Sequence, residues 1–312
     1  MKASQASFFP DQTGRLVVVT GANSGIGFCV AREFARNGAR VVLACRDLER
    51  GAAALRRLNE EVTNARAELV RVDLADQRSI HDCAGAWRHG PIDILINNAG
   101  IAMVPFARTR DGFESQFGVN HLGTFALSGL LLPHLLAARA PRVVTVSSEG
   151  QRFARFDLDN LNAERSFHTF WAYLQSKRAN LYFAAQLQAL ADAAHSSLRS
   201  MVVAPGLTRT NVLTGGANER RGRLYHALVG GLISLLFRPT LEGAKTTLWA
   251  ATQPDLPGGS YVVPDGFLQL RGTPTLRPQD ASLRHRDAMR ELWRRSEALT
   301  GVRFAIARSV PD

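Results

Sequence analysis

The feature that most restricts the fold is a series of short aliphatic runs with little polar alternation, such as Leu16-Val17-Val18-Val19, Val41-Val42-Leu43-Ala44 and Val143-Val144-Thr145-Val146. A strand with one face in water alternates polar and apolar residues, so continuous runs mark strands buried on both faces. The runs predict strands at 16–20, 40–44, 68–72, 92–96 and 142–147. Between them, segments at 25–37, 47–64, 79–89 and 113–138 carry helical spacing of apolar residues, the last interrupted near Pro133. The pattern continues with a helix to about Ala194, a strand at 199–204, a helix at 241–252 and a short strand at 259–263. Repeated strand–helix alternation calls for parallel strands joined by helical crossovers. The expected class is therefore α/β, a doubly wound parallel sheet with helices on both faces.

At 312 residues and 46% apolar content the chain can fill one large core. No linker or internal repeat divides it, so a single domain over 1–312 is expected, with its core at about 14–265 and a helical extension over 266–312. No apolar run approaches the roughly 20 residues of a membrane helix, and the first ten residues lack an apolar leader. Cys29, Cys45 and Cys83 match no zinc or redox spacing. Reduced thiols in a cytoplasmic protein are the simplest reading, and no metal site is expected. The net charge of +11 raises the question of nucleic acid. The arginines are spread along the chain, with no basic tail and no nucleic-acid motif, so no nucleic-acid partner is expected.

The run at 16–20 leads into Gly21-Ala22-Asn23-Ser24-Gly25-Ile26-Gly27, just before the first helix. Glycines between a strand and a helix permit a tight turn and bring backbone N–H groups close to a phosphate. The spacing differs from the usual G-x-G-x-x-G, but the flanking strand and helix support a dinucleotide site. The second strand ends in Cys45-Arg46-Asp47. An arginine here accommodates a ribose 2′-phosphate, which favours NADP(H) over NAD(H), while Asp47 is expected to turn outward and cap the next helix. Asp73-Leu74 and Asn97-Asn98-Ala99-Gly100 follow the third and fourth strands. Asp73 could accept a bond from an adenine amino group, and Asn97, Ala99 and Gly100 could let the backbone approach the adenosine; all of these are also ordinary turn residues. Long segments at 149–171 and 207–240 follow later strands, at the sheet edge where such folds bind ligands.

Tyr173 and Lys177 stand four residues apart, on one face of a helix. A free phenol titrates near 10, and a neighbouring ammonium favours its phenolate, which would bring Tyr173 toward a useful range for acid–base work. The pair taken alone reads as an amphipathic surface feature. Ser147-Ser148 ends the fifth strand, where a hydroxyl can hold a substrate oxygen. Asn120 is either a support for a water path to Lys177 or a core asparagine satisfying backbone groups.

These motifs together resemble the short-chain dehydrogenase/reductase family over roughly residues 14 to 265. The resemblance rests on the Thr20–Gly27 turn, Asp73-Leu74, Asn97-Asn98-Ala99-Gly100, Asn120, Ser148, Tyr173 with Lys177, and Pro205-Gly206 followed by Thr210. It implies a Rossmann-type fold and a catalytic tetrad of Asn120, Ser148, Tyr173 and Lys177, with Ser147 only a neighbour. It also implies cofactor contacts from Tyr173, Lys177, Pro205, Gly206, Thr208 and Thr210. A narrower similarity, to the retinol-dehydrogenase-like and WW-domain-oxidoreductase-like branch, rests on Ala44-Cys45-Arg46-Asp47, Val119-Asn120-His121-Leu122-Gly123 and the long Ser148-to-Tyr173 interval. That branch commonly uses NADP(H). A tail at 281–302 resembles the C-terminal helix of soluble members; a homodimer is plausible, and this tail could block one interface.

Phe153, Phe156, Phe167, Phe170 and Trp171 precede or open the tyrosine helix, and Leu232, Ile233, Leu235, Leu236 and Phe237 lie in the later long segment. Both groups are expected to line an apolar mouth, the second as a lid, around a lipophilic aldehyde, ketone or secondary alcohol. Reduction of an enone double bond, or cofactor binding without turnover, are the rival readings.

Overall fold

A computed structural model describes residues 9–206, 240–266, 269, 271–277, 283 and 285–306. It centres on an eight-stranded sheet in the order β3-β2-β1-β4-β5-β6-β7-β8. The strands are β1 (Leu16–Thr20), β2 (Arg40–Cys45), β3 (Arg66–Arg71), β4 (Ile94–Asn97), β5 (Arg142–Val146), β6 (Arg199–Val203), β7 (Tyr261–Pro264) and β8 (Pro274–Leu276). β1 to β7 pair in parallel, and β8 turns back antiparallel on β7. The order reverses between β1 and β4, and a parallel sheet binds its ligand in the crevice outside such a reversal.

The continuous runs are buried on both faces, as their lack of alternation predicts. Val17 and Val19 join one apolar cluster with Val30 and Phe34 of α1 (Gly25–Arg36) and Leu248 of α8 (Thr240–Thr252). Leu16 and Val18 join the opposite cluster with Ile80 of α3 (Gln77–Gly85), Phe125 of α5 (Thr124–Leu130) and Leu187 of α7 (Thr169–Ala193). α2 (Leu48–Glu61) covers β2 and β3. α9 (Arg286–Thr300) lies on α7, where Trp293 meets Phe125, Phe183 and Phe304 at ring-centroid distances of 4.9, 5.8 and 4.6 Å.

Several boundaries differ from the sequence expectation. β3 starts at Arg66 rather than 68; as the sheet's edge strand it stays half-buried and tolerates charged ends. β4 starts at Ile94 rather than 92, because the Ile92 N–H donates to the His134 carbonyl and the Asp93 carboxylate accepts from Leu16 N–H. α3 starts two residues early, where the Asp76 carboxylate caps the Arg78 and Ser79 N–H groups. The helix expected over 113–138 is several pieces. α4 (Ser115–Phe117) opens into a π-helical stretch, Gly118–Gly123, which continues into α5. The chain then breaks at Leu131, and α6 (Leu132–Leu136) restarts with Pro133 in its first turn. Proline has no N–H to donate and its ring crowds the preceding turn, so it is tolerated only at a helix start. Gly123 is small by necessity, since a Cβ there would strike the Leu74 carbonyl.

Among the described residues no helix is long and apolar enough to cross a membrane, and no group of His, Cys, Asp or Glu could hold a metal ion.

Candidate active site

A cleft of about 760 Å³ opens at the carboxyl ends of the central strands. One end is built by the glycine turn. Gly21 and Gly25 hold φ of 66° and 59°, a region that side chains disfavour. A Cβ on Gly27 would lie 2.5 Å from both the Gly21 carbonyl oxygen and the Asn98 amide nitrogen. Gly27 thus packs the helix onto its own turn and does not line the cleft, whereas Gly21, Asn23, Ser24, Gly25 and Ile26 do. Ser24 precedes α1 with extended backbone, yet its side chain caps none of the helix N–H groups, and the first turn carries no acid. A helix start of that kind facing a cleft suits an anion.

Arg46 and Arg50 line the same end and are exposed. Asp47 also borders the cleft, but its carboxylate accepts from Arg50 N–H and caps α2, as expected. Asp73 and Leu74 line the neighbouring wall, with Asp73 Oδ1 bonded to Ala75 N–H. Ala99, Gly100, Pro205 and Gly206 complete it, Gly206 with φ 71°. Thr208, Thr210 and the expected lid residues Leu232, Ile233, Leu235, Leu236 and Phe237 lie outside the described residues. Asn97 corrects the sequence expectation. It is buried on the far side of β4, where its amide donates to Ser128 Oγ at 2.9 Å and Thr145 Oγ1 at 3.5 Å. Asn98 faces the cleft instead and ties its amide to the Thr20 carbonyl at 2.9 Å. Thr20 Oγ1 accepts the N–H groups of both Asn98 and Ala99, so β1 and the loop after β4 form one rigid floor.

At the other end Ser148, Tyr173 and Lys177 share the cleft wall. The Ser148 hydroxyl lies beside the Tyr173 phenol and favours its ionised form. Ser147 is turned away, its hydroxyl donating to the Lys177 carbonyl at 2.7 Å. Lys177 is buried, and its ammonium donates to the Val146 carbonyl at 3.1 Å. Burial depresses the ammonium from its usual 10.5 to about 8. Burial also raises the Tyr173 phenol above its usual range, with the nearby Ser148 hydroxyl pulling the other way. The sequence expectation that the ammonium would draw the phenol down does not hold in the protein by itself: burial sets the direction, and the group that offsets it is Ser148, not Lys177. Asn120 does not line the cleft. Its Oδ1 accepts from Ile101 N–H, and its Nδ2 donates to the Ile101 carbonyl and to Ser176 Oγ. This is the arrangement of a core asparagine satisfying backbone groups. A Cβ on Gly100 would come within 3.0 Å of Asn120 Oδ1 and 3.2 Å of Lys177 Nζ, so glycine keeps these two groups close.

Of the aromatics expected at the mouth, Phe153 and Phe170 line the cleft. Phe156 turns inward onto Tyr182, Phe167 packs edge-on against Phe106, and Trp171 packs beside Phe170.

Glu149, adjacent to Ser148, was not singled out from sequence. Its buried carboxylate accepts from the Tyr261 hydroxyl at 2.7 Å and from Arg277 at 2.8 Å. Those partners sit on β7 and just beyond β8, so the short 3₁₀ turn Glu149–Phe153 that Ser148 caps is anchored to the sheet's far edge. No local pattern announces a tie across 128 residues.

The model of the short chain dehydrogenase family matches residues 15–220. Retinol dehydrogenase 14 of Mus musculus is 36% identical over 259 residues, covering 79% of this chain and 76% of that protein. Polyprenol dehydrogenase of Mus musculus is 35% identical over 301 residues, covering 94% of this chain and 86% of that protein. A crystal structure of an uncharacterized protein from Mycobacterium Paratuberculosis superimposes with a TM-score of 0.79 at 39% identity, covering 96% of this chain and 97% of the other. With the doubly wound sheet and the cleft at its reversal point, these matches establish that the chain belongs to the short-chain dehydrogenase family of oxidoreductases, in its retinol-dehydrogenase-like branch.

Proposed function

We infer that the protein interconverts a lipophilic aldehyde or ketone and the corresponding alcohol using NADP(H), with Tyr173 as the proton donor and acceptor. The observation that carries this reading is the grouping of Ser148, Tyr173 and Lys177 on one wall of a single cleft that also holds the glycine turn and the uncapped start of α1. The residues fit a dinucleotide. The pyrophosphate would be held by the backbone of Gly21 to Ile26, the adenosine by Asp73, Leu74 and Ala99, and a 2′-phosphate by Arg46. Bound in its reduced form, the cofactor supplies a hydride.

The protein's own groups supply the rest. Ser148 holds the carbonyl oxygen against Tyr173, which donates its proton to that oxygen as charge develops there. A phenol pushed above its usual range is fully protonated at neutral pH, the form that reduction requires. Lys177, poised near 8, keeps a positive charge beside the developing phenolate at neutral pH. In the alcohol-oxidising direction Tyr173 must first lose its proton, so that direction gains from higher pH. Asn120 positions the Ile101 segment and the helix that carries Tyr173.

Ile101, Ala102, Met103, Val104, Phe153 and Phe170 give the substrate end an apolar wall. The relatives named retinol dehydrogenase and polyprenol dehydrogenase take long apolar alcohols by their names, which agrees with that wall. The three cysteines form no disulfide, and we assign the activity to the cytoplasm.

The test is initial-rate oxidation of NADPH and NADH with short, long and cyclic carbonyls, beside Tyr173→Phe. NADPH-preferring turnover of long-chain aldehydes or ketones that collapses at least a hundredfold in the variant is the expected result. Efficient turnover by Tyr173→Phe would overturn the proton-donor role, and equal use of NADH would overturn the Arg46 assignment.

A further inference from the structure

Gln116 is wholly buried on α4, four residues before Asn120, and touches neither the cleft nor the catalytic groups. Its side chain nevertheless joins the two walls of the substrate end. Its Oε1 accepts the Met103 N–H at 2.9 Å, and its Nε2 donates to the Thr169 carbonyl at 3.1 Å. Met103 lies in the loop after β4, and Thr169 is the first residue of α7. The helical i→i−4 pattern pairs that same carbonyl with the N–H of Tyr173.

Met103 holds φ of 55°, a left-handed conformation that costs an unbranched side chain energy and persists only where neighbours enforce it. The Gln116 bond to its N–H is the visible enforcement. One turn along, Asn120 makes the matching pair of bonds to Ile101 and reaches Ser176 on α7. Two buried amides therefore clamp the loop to α7 like successive rungs. Asn120 grips the inner rung, next to Gly100 and Lys177; Gln116 grips the outer one, where Met103 and Val104 face the cleft and the loop runs on to exposed Phe106.

We propose that Gln116 is a positioning residue that sets the outer apolar wall of the cleft, and with it the selectivity for long over short carbonyl substrates. It rests on the carbonyl-reductase reading for its kinetic consequence, but the clamp itself does not. A short aldehyde sits at Ser148 and Tyr173 and does not reach Met103, whereas a long one lies along that wall.

The test is Gln116→Met, which keeps length and removes both hydrogen bonds. NADPH affinity and kcat for propanal should stay within about twofold, while KM for decanal rises about tenfold. Amide hydrogen exchange in the unloaded protein should quicken at Met103 and stay slow in the centre of α7. Glycine takes φ of 55° without strain, so in a Met103→Gly background the Gln116→Met effect on the decanal KM should shrink to less than about threefold. Unchanged exchange at Met103, or equal KM increases for propanal and decanal, would overturn the proposal. If the wild type reduces no carbonyl, the proposed function fails, and the exchange measurement still decides the clamp.

Discussion

Replacing Lys177 by methionine should stabilise the protein at neutral pH and abolish its activity. The ammonium is buried, and its pKa falls from 10.5 to about 8 through desolvation alone. At about 1.4 kcal/mol per pK unit, a drop of that size means that keeping the charge costs the folded state about 3 kcal/mol at pH 7. Methionine removes the charge and fills a similar volume. It forfeits the bond to the Val146 carbonyl, worth about 1–2 kcal/mol, but that carbonyl keeps the Asn180 amide at 3.3 Å. The net expectation is a gain of about 1–2 kcal/mol, or a few degrees in Tm for a chain of this length. The sign with pH is distinctive. Below pH 8 both the folded and unfolded chains hold the proton, and the penalty is fully present. Between 8 and 10.5 the folded protein sheds the proton first, so the wild type gains stability relative to the variant as pH rises. By pH 9.5 about 2 kcal/mol of the difference should have moved in the wild type's favour. Urea melts of both proteins without cofactor, at pH 7 and 9.5, read this directly, because all other titrations cancel in the difference. A stability gap that does not change with pH would refute the reasoning.

Three further outcomes follow from the geometry. Arg46→Ala should weaken NADPH binding roughly 10- to 100-fold in fluorescence titrations and leave NADH within about twofold. Gly27→Ala forces a Cβ to 2.5 Å from the backbone oxygen of Gly21; we expect a loss of about 1–3 kcal/mol in thermal melts and a collapse of cofactor affinity. His121, bonded to Ser296 at 2.8 Å, is held neutral by burial down to about pH 3, while the unfolded chain takes a proton near 6.5. Stability should therefore fall as pH drops through that window. His121→Phe should flatten the acid limb by about 2 kcal/mol between pH 6.5 and 4.5, and parallel curves for the two proteins would contradict this.

What could be read from the sequence was whatever a residue type demands locally. The run Leu16-Val17-Val18-Val19 has no polar position because both sides of β1 are covered, and that pattern is visible without coordinates. Gly21 and Gly25 announce themselves because few other residues sit at positive φ. The same doubly buried strands hide which of two neighbours faces a ligand. At the end of β4 the side chains of Asn97 and Asn98 point to opposite sides, and no polar alternation upstream shows which side is the cleft. Balance between effects was also hidden. The Tyr173–Lys177 spacing puts the two groups on one helix face, but the burial that raises the phenol and lowers the ammonium depends on the packing around both groups. Pairings distant in sequence, Gln116 with Met103 and Thr169 or Glu149 with Arg277, follow from topology and leave no periodic trace.

The anchoring of Glu149 bears on how much chain a working enzyme of this kind needs. Matching by family stops at residue 220, and every cleft residue described lies at or before Gly206. Yet Tyr261 and Arg277, which hold the carboxylate beside Ser148, come from β7 and from the residue just after β8. A chimera that grafted only the matched span onto another scaffold would inherit all the recognisable chemistry and none of the tether. It would leave a carboxylate buried without its counter-charge and a serine free to drift from its tyrosine. In this molecule the far side of the sheet is thus tied to the turn that follows Ser148, and swaps between relatives should exchange the two ends of the chain together.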